Sequence, residues 1–224
     1  MRFCPASEQS MLMYLGEQIG LAAHERVLKL LRVLQQEAPS WLRNVQPAYC
    51  SLLITFDACR IDHSEVEAAL CQFERRAEST RSPRPRKVEI PVCYDPEFAP
   101  DLEAVALAHK LKVSDVIRFH SSRAYHAYFL GFAPGFAYLG DLPDDLATPR
   151  LDVPRKQVPA GSVGIAGKQT AVYPLSTPGG WRLIGRTPLA MFRSDRTPMA
   201  LISIGDQVHF RSISREEYSE LASQ

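Results

Sequence analysis

The chain has 224 residues, 46% of them hydrophobic, with 26 Lys and Arg against 25 Asp and Glu. That length admits one large or two small domains with a buried core, and the even charge balance leaves no electrostatic footprint for nucleic acid or an anionic membrane. No apolar run approaches the roughly 20 residues that span a bilayer; the longest, such as Ser51 to Phe56, are the size of a strand.

Pro5 and Glu8 stand where a signal peptide would carry its basic and apolar regions, so a cytoplasmic chain is expected. The five cysteines (Cys4, Cys50, Cys59, Cys71 and Cys93) are odd in number, contain no C-x-x-C pair and are scattered over predicted strands and helices. Reduced structural thiols are expected, with no disulfide framework and no metal site.

In chain order, Ser10 to Leu15 is a short apolar run that reads as a strand closed by Gly16. Leu21 to Ala38 carries Val27, Leu30, Leu31, Leu34 and Ala38 at helical spacing and is stopped by Pro39. Tyr49 to Phe56 reads as a strand and Asp57 as a polar turn. Ser64 with Glu67 offers a capping box for a helix whose apolar face is Val66, Leu70, Phe73 and Ala77. The basic, proline-broken stretch Arg81 to Lys87 reads as a solvated linker. A domain boundary is placed there, dividing the chain into residues 1–86 and 87–224. The order of elements before it suits a small α/β sandwich, with a ferredoxin-like arrangement as one candidate, and Val88 to Val92 offers it a final strand.

Beyond the boundary, helices are expected over Asp101 to Leu111 and from Ser114 through Phe119, then a strand over Tyr125 to Leu130. Nine of the twelve glycines then fall between Gly131 and Gly185, a density no ordinary helix survives. The apolar runs left between them are Ser162 to Ala166, Thr170 to Tyr173, Trp181 to Ile184, Leu189 to Phe192 and Gln207 to Arg211. Many short strands with Gly/Pro turns predict a β-barrel or sandwich. Ser214 to Leu221 reads as a closing helix.

Three stretches invite a chemical reading. Gly131 to Gly140 packs Phe132, Phe136 and Tyr138 around Pro134 in one loop, which suits either a ligand wall or an aromatic plug. Gly161 to Gly167 could turn backbone N–H groups toward an anion, but five residues separate those glycines and Gln169 follows Lys168, so the stretch is no Walker loop. Trp181 after Gly179-Gly180 either stacks on a ligand or joins the core. His120, at the end of a predicted helix, reads either as an acid/base group or as a partner of the helix dipole. No hydrolase elbow is present.

Taken together, His120, Tyr128 to Leu139, Pro149-Arg150, Pro154-Arg155, Val158 to Gly167, Tyr173-Pro174, Pro178 to Trp181 and Gly185 to Pro188 resemble the allophanate hydrolase subunit 1 family, also known as the Kip-type kinase-inhibitor or carboxyltransferase C/D family. Pro47-Ala48-Tyr49, Phe56-Asp57 and Ile90 to Tyr94 fit as well, while Ser7-Glu8 stands where members often carry Gly-Asp. The resemblance implies a small N-terminal α/β domain followed by a cyclophilin-like β-barrel. It further implies a subunit of an ATP-dependent 5-oxoprolinase, working with Mg-ATP, a homologous second barrel subunit and a lactam hydrolase subunit. On that footing His120 is the candidate acid/base. Arg150 and Arg155 would bind a carboxylate or phosphate, and the backbone of Gly161, Ser162, Gly164, Gly167, Gly179 and Gly180 an oxyanion. Gln169 would orient the amide, and Phe132, Pro134, Phe136 and Trp181 would form the ligand wall. The family also leaves open an inhibitor of a sensor histidine kinase, or a carboxyltransferase acting on urea-like substrates.

Overall fold

The structure is a computed structural model and describes residues 1–81 and 84–223. It resolves into two compact units, Met1–Arg84 and Pro85 onward. Of the basic stretch, Ser82 and Pro83 lie outside the described residues, while Arg86 is held in the second unit by Asp206 and the carbonyl of Leu201.

The first unit runs β1 (Arg2–Ser7), β2 (Ser10–Tyr14), α1 (Leu21–Glu37), β3 (Leu42–Pro47), β4 (Ser51–Phe56) and α2 (His63–Glu78). Its four strands form an antiparallel sheet in the order β1-β2-β4-β3. Helix α1 buries Val27, Leu30, Leu31 and Leu34, the positions its periodicity marks. It ends where Ala38 turns left-handed and donates its N–H to the Leu34 carbonyl. Helix α2 starts two residues earlier than the Ser64 reading. Asp62 accepts from the Glu65 N–H at 2.9 Å, and Glu65 reaches back to the Asp62 N–H at 3.0 Å. Ser64, already inside the first turn, donates to Asp62. An ionised Asp at the N-cap accepts a charge-assisted bond that a hydroxyl cannot match.

A ferredoxin-like unit runs β-α-β-β-α-β, its last strand returning to pair with its first. Here that edge place belongs to β1, the first strand of the unit, which pairs with β2 through a tight turn. Sequence periodicity misses β1 because nearly every residue in it is exposed, so it carries no apolar alternation. Val88 to Val92, read as a final strand for this sheet, lies in the second unit instead.

The second unit is a closed barrel. Its strands are β5 (Lys87–Cys93), β6 (Ala124–Leu130), β7 (Ala137–Gly140), β9 (Ser162–Ala166), β10 (Gln169–Val172), β12 (Arg182–Arg186) and β13 (Gln207–Ile213), in the order β10-β7-β6-β13-β5-β12-β9. β5 and β13 pair in parallel and the other neighbours antiparallel. β8 (Arg155–Val158) and β11 (Thr177–Gly179) make a separate two-stranded sheet. Helices α3 (Leu102–Ala108) and α4 (Val113–Ser121) send Leu102, Val105, Ala106 and Val116 into the barrel core beside Ile90, Val92, Val163, Ile165 and Phe210. Helix α5 (Arg215–Ala222) closes the chain, capped by Ser214.

Two expectations need correcting. Leu189 to Phe192 is not a strand; only a single bridge, Phe192 to Ala200, forms there, because Pro188 and the turn after it leave too few paired residues. The aromatic loop also ends at Phe136, and Ala137–Gly140 is a strand of the barrel.

Candidate functional site

Strand β9 explains much of the second unit's outer surface. All five of its residues are buried. Val163 and Ile165 point into the barrel, while Ala166 belongs to a second apolar cluster with Phe136, Val158, Ala171, Tyr173, Trp181 and Leu183. Alternation along the strands puts Gly164, Ala166 and Ala171 on this outer side as a floor of small residues. A side chain at Gly164 would stand 3.1 Å from the Trp181 Cβ and 3.4 Å from the Tyr173 ring. The missing Cβ is what lets those two rings lie down on the strand.

Above the floor stands a ring cluster. Phe136 meets Tyr138, Phe132, Tyr173 and Trp181 edge-on, at centroid distances of 4.9, 5.3, 5.4 and 5.6 Å. Tyr138 also stacks on Phe129 at 4.4 Å. Phe136 and Trp181 are buried, whereas Phe132 is 64% exposed. The loop holds Phe132 outward at φ +73°, a left-handed conformation a bulky residue rarely adopts. Pro134 is exposed at the loop tip.

The two arginines part company. Arg155 Nη2 donates to Asp101 at 2.6 Å, and its Nη1 to the Trp181 carbonyl at 3.3 Å. Asp101, almost buried, also accepts from the Leu183 N–H at 2.6 Å. Arg155 therefore ties β8 to β12 and the start of α3, and its guanidinium is spent on that joint. Arg150 is exposed, lies with its guanidinium carbon 5.8 Å from the centre of the Trp181 ring, and has no carboxylate partner among the described residues. It is held there by the next residue, because Leu151 donates its N–H to the Gly180 carbonyl at 2.7 Å. Arg150 is also near enough to Tyr138 and Tyr173 to favour their ionised forms, but burial outweighs it and pushes both phenols up, so they stay O–H donors at neutral pH.

The glycine stretch is not a phosphate cradle. β9 is paired on both sides, to β10 and β12. The Gly161 N–H goes to the Tyr173 carbonyl, that of Ser162 to Pro159 and that of Gly167 to Thr148. Gly161 and Gly167 sit at opposite ends of a strand about 20 Å apart, at 3.3 Å per residue, so they cannot converge on one anion. Gly179 pairs with Arg155 in the small sheet and lies against the Tyr173 ring. Gln169 is half-buried beside the β9–β10 turn, opposite Ala166.

His120 lies apart from the aromatic face, fully buried in the barrel at the end of α4. Its Nδ1 is 2.7 Å from the Tyr94 hydroxyl and its Nε2 2.9 Å from Thr170 Oγ1. Thr170 donates its own proton to the Gly164 carbonyl at 3.1 Å, so its oxygen accepts from Nε2–H, and Nδ1 accepts from Tyr94. The imidazole is thus a neutral relay with both nitrogens engaged. It stacks on Phe210 at 4.4 Å, and burial lowers its pKa to about 3. Nothing in this arrangement leaves a proton free to exchange with a substrate. Its relation to the site is structural, through Thr170 to the backbone of Gly164 in the floor.

Tyr173 is the aromatic of this cluster to which reading by motif gives no role. The signal for it is the alternation Gln169, Ala171, Tyr173, which becomes visible only once β10 is known to have a buried outer side. Among the described residues no group of three or more His, Cys, Asp or Glu could hold a metal ion.

The barrel, its accessory sheet and the preceding sandwich define the class. The chain belongs to the carboxyltransferase domain family, subdomains C and D, whose model matches residues 1–202. Among curated proteins, the B-type subunit of the Bacillus subtilis 5-oxoprolinase is 40% identical over 226 residues, covering 94% of this chain and 92% of that one. The crystal structure of TTHA0988 superposes with a TM-score of 0.81 at 34% identity over 93% of this chain; the chain spans 40% of the length of that protein. Kluyveromyces lactis urea carboxylase shares the fold, with a TM-score of 0.80 at 19% identity, over 99% of this chain and 22% of its own.

Proposed function

We propose that this chain is the B-type subunit of an ATP-dependent 5-oxoprolinase that opens 5-oxo-L-proline to L-glutamate, working beside a homologous second barrel subunit and a lactam hydrolase subunit. The likeness to the Bacillus subtilis protein along nearly the whole chain is the observation that carries this reading. A lactam amide is a poor electrophile, and ATP supplies the driving force for opening it. The N–H groups of Gly161, Ser162 and Gly167 are taken by carbonyls of the chain and β9 between them is paired on both sides, so Mg-ATP is assigned to the assembled complex and no phosphoryl step to this chain. What this chain brings is an aromatic face with the guanidinium of Arg150, which has no carboxylate partner among the described residues, and the half-buried, protonated phenol of Tyr138, a surface that binds and orients. The chain alone is therefore expected to be inactive. No helix among the described residues is long and apolar enough to cross a membrane, and the reading places the complex in the cytoplasm.

Reconstitution tests the proposal. Glutamate release from 5-oxoproline is expected only when ATP, this chain and both partner subunits are present together. Undiminished release without this chain would refute a catalytic subunit role and favour a regulatory binding protein, such as an inhibitor of a sensor histidine kinase.

A further inference from the structure

We infer that the Arg150 face is the seat of a small flat carboxylate, which for a 5-oxoprolinase subunit is the carboxylate of the lactam substrate itself; the choice of substrate rests on the function proposed above. Three features of the face point to such a ligand. Arg150 is a planar double donor held over an aromatic platform, with no carboxylate spending it among the described residues. This contrasts with Arg155, whose donors are consumed by Asp101 and the Trp181 carbonyl. A guanidinium of this kind takes a carboxylate through two parallel N–H bonds, and a cation–π contact with the Trp181 ring leaves those donors unused.

The second feature is Phe132. Its ring lies 5.3 Å from Phe136 and 6.4 Å from Tyr173, yet it is 64% exposed on a loop that holds it outward. An apolar ring presented within the same cluster as a cation that has no carboxylate partner among the described residues matches a ligand with one flat apolar side and one anionic end. The third is the character of the remaining polar groups. Tyr138, half-buried, keeps its proton and offers an O–H group to a carbonyl, and Gln169 brings an amide to the edge of the same floor. A compact ring carrying a carboxylate and an amide uses all three kinds of group. A phosphate would use the guanidinium and leave the apolar wall idle.

The full-length chain carrying Trp41→Phe, so that Trp181 is its one indole, is titrated with L-5-oxoproline while tryptophan fluorescence is followed. A saturable change is expected, because a ligand on Arg150 alters the charge above the Trp181 ring. Arg150→Gln, a change on the surface, and replacement of the ligand by its primary amide, which lacks the carboxylate, are each expected to weaken binding at least tenfold. Inorganic phosphate at equal concentration is expected not to displace the ligand. Absence of saturation, equal affinity for the amide or unchanged affinity in Arg150→Gln overturns the inference, and displacement by phosphate overturns the carboxylate assignment. Carboxylate binding through Arg150 without reconstituted activity would sink the proposed function and leave this site standing; activity with Arg150-independent binding would do the reverse.

Discussion

Replacing His120 should unfold the barrel rather than silence a reaction. His120→Ala removes an aromatic ring stacked on Phe210 at 4.4 Å, and comparable aromatic truncations in cores cost about 3–5 kcal/mol. It also leaves the Tyr94 hydroxyl, 2.7 Å from the imidazole in the native protein, buried without that acceptor, for a further ~1–3 kcal/mol. Against a typical stability of about 5–15 kcal/mol this is enough to unfold much of the protein. His120→Phe keeps the ring volume and orphans only the hydroxyl, and the double variant Tyr94→Phe/His120→Phe removes the orphan, so the double variant is expected to recover at least half the loss. The pH dependence carries the same signature. Folding lowers the His120 pKa from 6.5 to about 3, so between those values the unfolded chain binds a proton the native protein refuses. Stability from this site is fully present above pH 6.5 and falls by about 1.4 kcal/mol per pH unit as the pH drops toward 3, roughly 4–5 kcal/mol in all. Urea denaturation followed by circular dichroism at several pH values, comparing the wild type with the double variant, isolates that slope from the carboxylates. Equal slopes would refute the buried neutral relay. A His120→Ala protein of native stability but without activity in the reconstituted complex would restore the acid/base reading.

Asp62→Ala, which breaks the capping box of α2, is expected to cost about 1 kcal/mol in urea titration and Ser64→Ala only a few tenths; the reverse order would contradict the observed cap. Arg155→Gln strips the ion partner from nearly buried Asp101 and should cost about 1–3 kcal/mol of stability while the folded fraction binds ligand as before, whereas Arg150→Gln should do the opposite. Gly161→Ala places a Cβ on the Thr187 carbonyl at φ +81°, and a loss near 2 kcal/mol would lower the melting temperature by about 4–8 °C. Gly167→Ala, at φ +54° with open space around the added carbon, should cost only about 1 kcal/mol; calorimetry that ranks the two equally would place the strain in the backbone alone.

The helices and the core strands were legible because burial imposes a period. Val27, Leu30, Leu31 and Leu34 mark the inner face of α1, and Val88, Ile90 and Val92 mark β5, without any knowledge of the fold. The partner of β5 was not legible, since pairing with β13 depends on a chain separation that no local pattern records. Edge strands escaped for a different reason: β1 and β8 are mostly exposed and carry no alternation. At the proposed site, the aromatic and glycine motifs marked the face where Phe132, Phe136 and Trp181 cluster, but residue type could not tell Arg150 from Arg155. The difference lies in Asp101, more than fifty positions away in the chain, which neutralises one arginine and not the other. His120 failed as a candidate acid/base for the same reason, because Tyr94 and Thr170, which satisfy both its nitrogens, are distant in sequence. Glycines that looked like a phosphate loop proved to be the thin part of a buried strand, where the side chains of Trp181 and Tyr173 need the room.

The most direct measurement of the central claim is to titrate this chain into a fixed amount of the two partner subunits with saturating ATP and 5-oxoproline, and to follow glutamate and ADP together. The account predicts a rate that is absent without the chain, rises in proportion to it and saturates at a fixed ratio of subunits, with ADP and glutamate appearing in step. A glutamate rate already complete before the chain is added, and unmoved by it, would contradict the account.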